Sequence, residues 1–367
     1  MLYIHIPYCK GKCIYCDFYS GGNPDWKKYL KAVASELSER IGTLGGDCLS
    51  SIYIGGGTPS LIPPDDFLSF ISDIKERIHQ AGLGIPKDME FTMEVNPEDV
   101  TEDMALVWEK AGINRVSMGV QSLIDEELSK IKRRHNAEKA EVAMEILKRH
   151  FKNISVDIIY GLPGQTADKL DYTLANILKW RPQHISAYAL TFEEGTPLAI
   201  LRNTGQVEEC SEETYIALEH HLIRRLKEAG YKRYEISNFS LPGFQSHHNS
   251  GYWEGRPYLG LGPSACSFDG QRVRRSNKAN LKAYINGNVE YEDEILSDNE
   301  LLEEKIMTSL RTAKGLNIDE LSKSNRKSLL PKASKWIESG HMTFTDNSLT
   351  LTEKGFDISD YIILSLV

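Results

Sequence analysis

The chain reads as an α/β protein, a partial barrel of six strand-helix units followed by a small α+β module of winged-helix type. Two observations predict it. Six short runs rich in Ile, Val, Tyr and Phe (LYIHIP, SIYIGG, EFTMEVNP, RVSMGVQS, ISVDIIYGLP, HISAYALT) alternate with charged stretches whose apolar residues return every three or four positions. That alternation calls for a parallel sheet covered by helices with right-handed crossovers, and six units fall short of the eight that close a full barrel. After about residue 299 the text changes to helices followed by two short alternating runs about an Asp-Asn turn, the pattern of a small winged module.

Taken in order, the periodic stretches predict helices over Asp25 to Ile41, Pro64 to Gln80, Thr101 to Ala111, Ala137 to Arg149 and Thr166 to Lys179. The pattern weakens after about Leu201. RNTGQVEEC reads as a loop, Ser211 to Ala229 as a helix stopped by Gly230, and the Gly- and aromatic-rich run from Tyr234 to Phe268 as irregular chain folded over something. A helix near Lys332 to Glu338, the hairpin MTFTDNSLTL and a docking helix or strand at YIILSLV complete the reading. Three parts are expected: a barrel over 1–205, a linker and ligand-binding region over 206–298, and the winged module over 299–367.

Composition narrows the class of function. A net charge of -9 and the lack of an Arg/Lys-dense tail argue against nucleic acid as the main partner. No run approaches the length of a membrane span, and no signal-like start precedes the first strand, so a cytoplasmic protein is expected. Six cysteines, at 9, 13, 16, 48, 210 and 266, are too sparse for a disulfide framework.

Three of them, Cys9, Cys13 and Cys16, stand as Cys-x3-Cys-x2-Cys directly after the first strand. Zinc would take a fourth ligand from His5, Asp17 or a distant Cys, but structural zinc usually joins two Cys/His pairs and no second pair follows. An iron-sulfur cluster normally takes four thiolates, so three leave one iron without a protein ligand. The other strand ends are also polar, as the mouth of a barrel requires. They carry GGGTPS (Gly55 to Ser60), Glu94 to Asn96, Gln121 and Ser122, Asp157 with YGLPGQ, and Tyr188. An acid inside a strand such as Asp157 is costly without a partner.

The runs YIHIPYCKGKCIYCDF, GGGTPS, MEVNPE, SMGVQS and IYGLPGQ together resemble the radical S-adenosylmethionine (SAM) superfamily. The resemblance implies that Cys9, Cys13 and Cys16 hold a [4Fe-4S] cluster whose open iron is chelated by the amino and carboxylate groups of SAM. Position by position it implies SAM contacts at Tyr3, Tyr15, Gly56, Gly57, Thr58, Glu94, Gln121, Arg133 and Asp157; the choice of Arg133 over Arg134 rests on spacing.

Within the superfamily two branches compete. The oxygen-independent coproporphyrinogen III oxidases carry a further Cys two residues after the third and an N-terminal extension, whereas this chain has Phe18 there and starts two residues before Tyr3. The HemW heme chaperones carry YCDF and a later His-Asn-x-x-Tyr-Trp element, matched here by HNSGYW, His248 to Trp253. The resemblance to HemW extends over essentially the whole chain. It implies a heme-binding chaperone, heme held at or near His248, acceptor hemoproteins with respiratory enzymes among the recipients, and a capacity to dimerise. Tyr252 and Trp253 would stack on a porphyrin, and Arg272, Arg274 and Arg275 either pair with propionates or form a solvated strand edge. Cys266 departs from the family pattern, in which a His is expected.

Overall fold

A computed structural model describes residues 1–367. Six parallel strands, β1 (Leu2–Ile6), β2 (Ser51–Gly56), β3 (Glu90–Val95), β4 (Arg115–Gln121), β5 (Ile154–Tyr160) and β6 (His184–Ala189), follow one another in sheet order. The helices between them are α1 (Trp26–Arg40), α2 (Pro64–Gln80), α3 (Glu102–Ala111), α4 (Asp125–Lys130), α5 (Ala137–His150) and α6 (Ala167–Trp180). The strands are buried on both faces, as a sheet enclosed by helices demands, with Ile4, Ile54, Met93 and Val116 in lateral register. Helix starts follow their caps: Asp25, Thr101, Asn136 and Thr166 each accept a hydrogen bond from the third backbone N–H beyond.

The sheet does not close. After α7 (Pro197–Asn203) and α8 (Glu212–Glu228), the short strands β7 (Lys232–Arg233) and β8 (Asn238–Ser240) add antiparallel to the β6 edge. The chain then crosses through α9 (His247–Trp253) to β9 (Leu259–Leu261), which pairs parallel with β1 at the opposite edge. Both margins of the partial (β/α)6 barrel therefore take a strand, β8 and β9, from the Gly- and aromatic-rich segment, and its main core of 56 buried residues draws Phe239, Leu259 and Leu261 from it. A separate antiparallel sheet, β10 (Cys266–Phe268), β11 (Val273–Asn277) and β12 (Tyr291–Ile295), stands beyond it, with α10 (Leu281–Ile285) between its last two strands.

The C-terminal module has its own core, centred on Ile306, Leu310, Leu329, Leu349 and Ile362. Helices α11 (Asp298–Leu310) and α12 (Lys323–Glu338) pack on a three-stranded sheet of β13 (Leu316–Asn317), β14 (Met342–Thr345) and β15 (Ser348–Leu351). This is the expected winged-helix-like arrangement. Asp346 and Asn347, both at positive φ, make the two-residue hairpin turn. After α13 (Glu353–Phe356), the final α14 (Ser359–Leu366) is a helix that buries Ile362, Ile363 and Leu366.

Two element boundaries differ from expectation. The helix expected near Lys332 begins at Lys323, capped by Ser322, and runs through Pro331, because burial of Leu329 and Ala333 on one face offsets the lost backbone hydrogen bond. Arg202 and Asn203, expected in a loop, form the last turn of α7.

Candidate functional site

A cavity of about 850 Å³ opens at the C-terminal ends of β1–β6. Twelve of the thirteen expected site residues line it: Tyr3, Cys9, Cys13, Tyr15, Cys16, Gly56, Gly57, Thr58, Glu94, Gln121, Arg133 and Asp157. The thirteenth, His248, does not.

The cysteine loop is locked to the glycine loop. Gly57 and Thr58 donate their backbone N–H groups to the carbonyls of Ile6 and Tyr8, at 2.6 and 2.8 Å. Those amides are therefore spent on the cluster loop and do not face a ligand. Gly57 has no room for a side chain, since a Cβ would lie 2.6 Å from both carbonyls. Thr58 in turn donates to Cys9 Sγ at 3.4 Å, and Arg133 reaches Cys13 Sγ at 3.6 Å. No three His, Cys, Asp or Glu side chains converge on a single ion.

Opposite the thiols lie the buried carboxyls. Glu94 accepts from Tyr53 Oη at 2.8 Å and from the Gly56 N–H at 3.0 Å. Burial pushes its carboxyl up to about 7, against the pull of those two donors. Asp157 accepts from Ser117 Oγ at 3.1 Å and Ser155 Oγ at 3.3 Å, and burial raises it as well. Two buried acids, both raised by burial, are poised for a cationic partner, which an amino group or a sulfonium supplies. Gln121 sits at φ 65° beside a register shift in the β4–β5 pairing, a bulge that re-aims its side chain at the cavity.

The two neighbouring arginines differ in their partners. Arg133 bonds Asn96 Oδ1 at 2.9 Å and the Gly119 carbonyl at 2.5 Å, and its buried Nε has no partner. Arg134 is neutralised by Glu98 and Asp99. Arg133 is thus the guanidinium left to meet an anionic group in the cavity.

His248 stands behind the cavity lining. It lies in the first turn of α9, 1% exposed, with both ring nitrogens engaged: Nδ1 with Ser51 Oγ at 2.8 Å and Nε2 with Tyr252 Oη at 3.0 Å. Its ring stacks on Tyr53 at 5.1 Å, and burial holds it down to about 3, so it is a neutral imidazole. Glu90 clamps the start of α9, accepting from the His247 and His248 N–H groups and from Ser246 Oγ. An imidazole so enclosed presents no free nitrogen to an iron in the cavity. Arg274 and Arg275 are likewise occupied, by Glu304 and Asp293, each at two contacts of 2.6 to 2.7 Å, and Arg272 by Asp298.

Several lining residues escape a reading by sequence alone. Tyr53 is signalled only by its strand alternation with Gly55, and Ser117 only by its register opposite Glu94. Tyr258 joins Tyr252 and Cys266 in the cavity because β9 inserts beside β1, a pairing between residues more than 250 apart that leaves no local signal.

The radical SAM superfamily model matches residues 3–177, the stretch that carries the cluster loop and the first five strands. The heme chaperone HemW of Buchnera aphidicola subsp. Schizaphis graminum is 32% identical over 365 residues, covering 96% of this chain and 94% of that one. The chain belongs to the HemW family of the radical SAM superfamily. HemW of Bacillus subtilis is 31% identical and covers 96% of this chain and 95% of its own. Among solved structures, coproporphyrinogen III oxidase (HemN) from Escherichia coli superposes with a TM-score of 0.83, covering 100% of this chain and 89% of that one at 22% identity. That likeness concerns the fold. Membership of the superfamily implies a [4Fe-4S] cluster and SAM, and the three cavity thiols with facing acids, amide and guanidinium fit both.

Proposed function

We propose that this protein is a heme chaperone that holds a [4Fe-4S] cluster on Cys9, Cys13 and Cys16, binds SAM beside it and transfers heme to acceptor hemoproteins. The observation that supports it most is likeness to proteins named heme chaperones over nearly the full length of both chains, C-terminal module included. Phe18 adds to it: 65% exposed on the cavity rim, it puts an aromatic ring where the oxidase branch has a further thiol.

Within this reading Glu94 takes the SAM amino group, Arg133 its carboxylate, and Gln121 and Asp157 the ribose hydroxyls or the sulfonium side. Tyr3 and Tyr15 pack beside them, while Gly56, Gly57 and Thr58 hold the cluster loop to β2. When bound, the cluster supplies one electron at a time at low potential. The chain's contribution is to bury, orient and charge-match. Residues 1–205 carry the cluster and SAM, 206–298 close the heme end of the cavity, and 299–367 form a separately cored module suited to meeting an acceptor such as a respiratory hemoprotein. No helix is long and apolar enough to cross a membrane. The proposal places the protein in the cytoplasm and allows a homodimer.

The test is anaerobic reconstitution with iron and sulfide, a hemin titration followed in the Soret region, and a coproporphyrinogen III turnover assay on the same preparation. Saturable hemin uptake without turnover is expected. Decarboxylation without specific hemin uptake would overturn the reading in favour of an oxidase.

A further inference from the structure

We propose that Tyr252 is the protein ligand of ferric heme iron, and that His248 is a positioning residue behind it. The inference rests on the heme-chaperone reading.

Residues four apart on a helix share a face, and on α9 that face carries His248 and then Tyr252. Of the two, only Tyr252 lines the cavity. His248 is fixed from four sides: Ser51 holds Nδ1, Tyr53 stacks on its ring, Glu90 holds its backbone N–H and Tyr252 meets Nε2. Turning the imidazole toward the cavity would break both of its ring hydrogen bonds and its stack on Tyr53 together. The Tyr252 hydroxyl already lines the cavity with that imidazole nitrogen as its one side-chain partner, and because burial raises the phenol above its ordinary value, it ionises only as the ferric iron takes it.

Phenolate oxygen is a proven ligand for ferric heme. On coordination the Tyr252 O–H bond breaks, an Oη–iron bond forms, the displaced iron ligand leaves and one proton passes to solvent, with no change of oxidation state. The imidazole accommodates the change by exchanging tautomers. Before coordination Nε2 accepts from Tyr252 and Nδ1–H donates to Ser51 Oγ; afterwards the Ser51 hydroxyl donates to Nδ1 and Nε2–H donates to the phenolate. The surroundings suit a flat macrocycle. Tyr258 stands edge-on to Tyr252 at 4.7 Å, while Tyr188 and Phe18, 42% and 65% exposed, lie on the same cavity.

The test uses the full-length reconstituted protein titrated with hemin, read by affinity and by resonance Raman spectra of protein carrying ring-deuterated tyrosine. Wild type should take up hemin saturably and show isotope-sensitive phenolate bands of a high-spin ferric centre. Tyr252→Phe should lose those bands and bind hemin roughly tenfold or more weakly, whereas Tyr258→Phe keeps the bands. His248→Gln should keep the phenolate bands at shifted frequency, a change that a purely structural role would not produce. The proposal is overturned if wild-type hemin uptake is saturable but lacks phenolate bands, if the bands survive in Tyr252→Phe, or if a thiolate spectrum vanishes in Cys266→Ser. These readouts come from wild type as well as variants, so misfolding of one variant does not shield the inference. Absence of saturable uptake by wild type would instead sink the heme-chaperone reading itself.

Discussion

The cavity has two unlike walls. The one built by the ends of β2–β5 and the cysteine loop is dense in cross-linked polar groups: Gly57 and Thr58 pinned to β1, Glu94 held by two donors, Arg133 by two acceptors. The other, built by Tyr3, Tyr188 and the segment from Tyr252 to Cys266, is mainly aromatic, with edge-on and tilted rings in place of ion pairs. A wall of fixed, buried acids beside a guanidinium is matched to a compact zwitterion. A wall of tyrosines is matched to a broad flat surface and gains through area, not charge. One site can thus hold a small charged cofactor and a large apolar cargo.

The sharpest way to break this comparison is to remove the polar wall. Replacing Cys9, Cys13 and Cys16 together by Ser should reduce reconstituted iron and sulfide to background, measured by metal analysis and the brown absorbance. Hemin uptake should stay within a few-fold of wild type if the walls act independently. Collapse of hemin binding in the same variant would mean that the cluster organises both. Next in size is Gly57→Ala. Its new methyl would lie 2.6 Å from the Ile6 and Tyr8 carbonyls, backbone at the end of β1 and the start of the cluster loop that has nowhere to retreat. A loss of roughly 2–3 kcal/mol in chemical denaturation is expected, with impaired cluster assembly.

Glu94 sharpens the comparison through pH. Its carboxyl is raised by burial to about 7, so the folded chain holds a proton that the unfolded chain releases near the ordinary glutamate value. This contribution to stability is complete at pH 4 and is lost as pH rises through 7. Glu94→Gln should flatten that part of the stability profile by on the order of 3 kcal/mol. Glu235, also held near 7 by burial but not lining the cavity, will keep a residual slope. SAM affinity should move the opposite way, rising through pH 7 as Glu94 ionises to meet the amino group, and Glu94→Gln should abolish the rise. Isothermal titration at pH 6 and 8 decides it.

How far the sequence alone reaches differs between the walls for a physical reason. The polar wall is legible because its acids lie within strands whose hydrophobic runs mark them, Glu94 after Phe91 and Met93 and Asp157 between Val156 and Ile158, whereas Arg133, in the turn after α4, is reached by spacing alone. The six units, their helices and the Asp346-Asn347 hairpin are legible from the same local periodicities. The aromatic wall depends on β9 lying parallel to β1, a contact with no local trace, so Tyr258 passes as loop chain. The place of His248 behind the lining is hidden for a related reason. Its motif is visible, but which of its polar residues faces outward depends on the Ser51 and Glu90 side chains that hold α9 from β2 and β3.

The smallest expected effect concerns the charges around the aromatic wall. Arg275 stands as a candidate propionate partner in the sequence, yet its guanidinium makes two bonds of 2.6 Å to Asp293 and lies 3.8 Å above the Tyr291 ring. For a propionate to recruit it, Asp293 would have to be released, exchanging one carboxylate for another with little net gain. Arg275→Ala should therefore leave hemin affinity within about twofold and change stability by no more than about 0.5 kcal/mol, since the pair is largely solvated. A tenfold loss of hemin affinity would show that the propionates outcompete Asp293. The aromatic wall would then have to be redrawn with a cationic rim, bringing it closer in character to the wall that faces it.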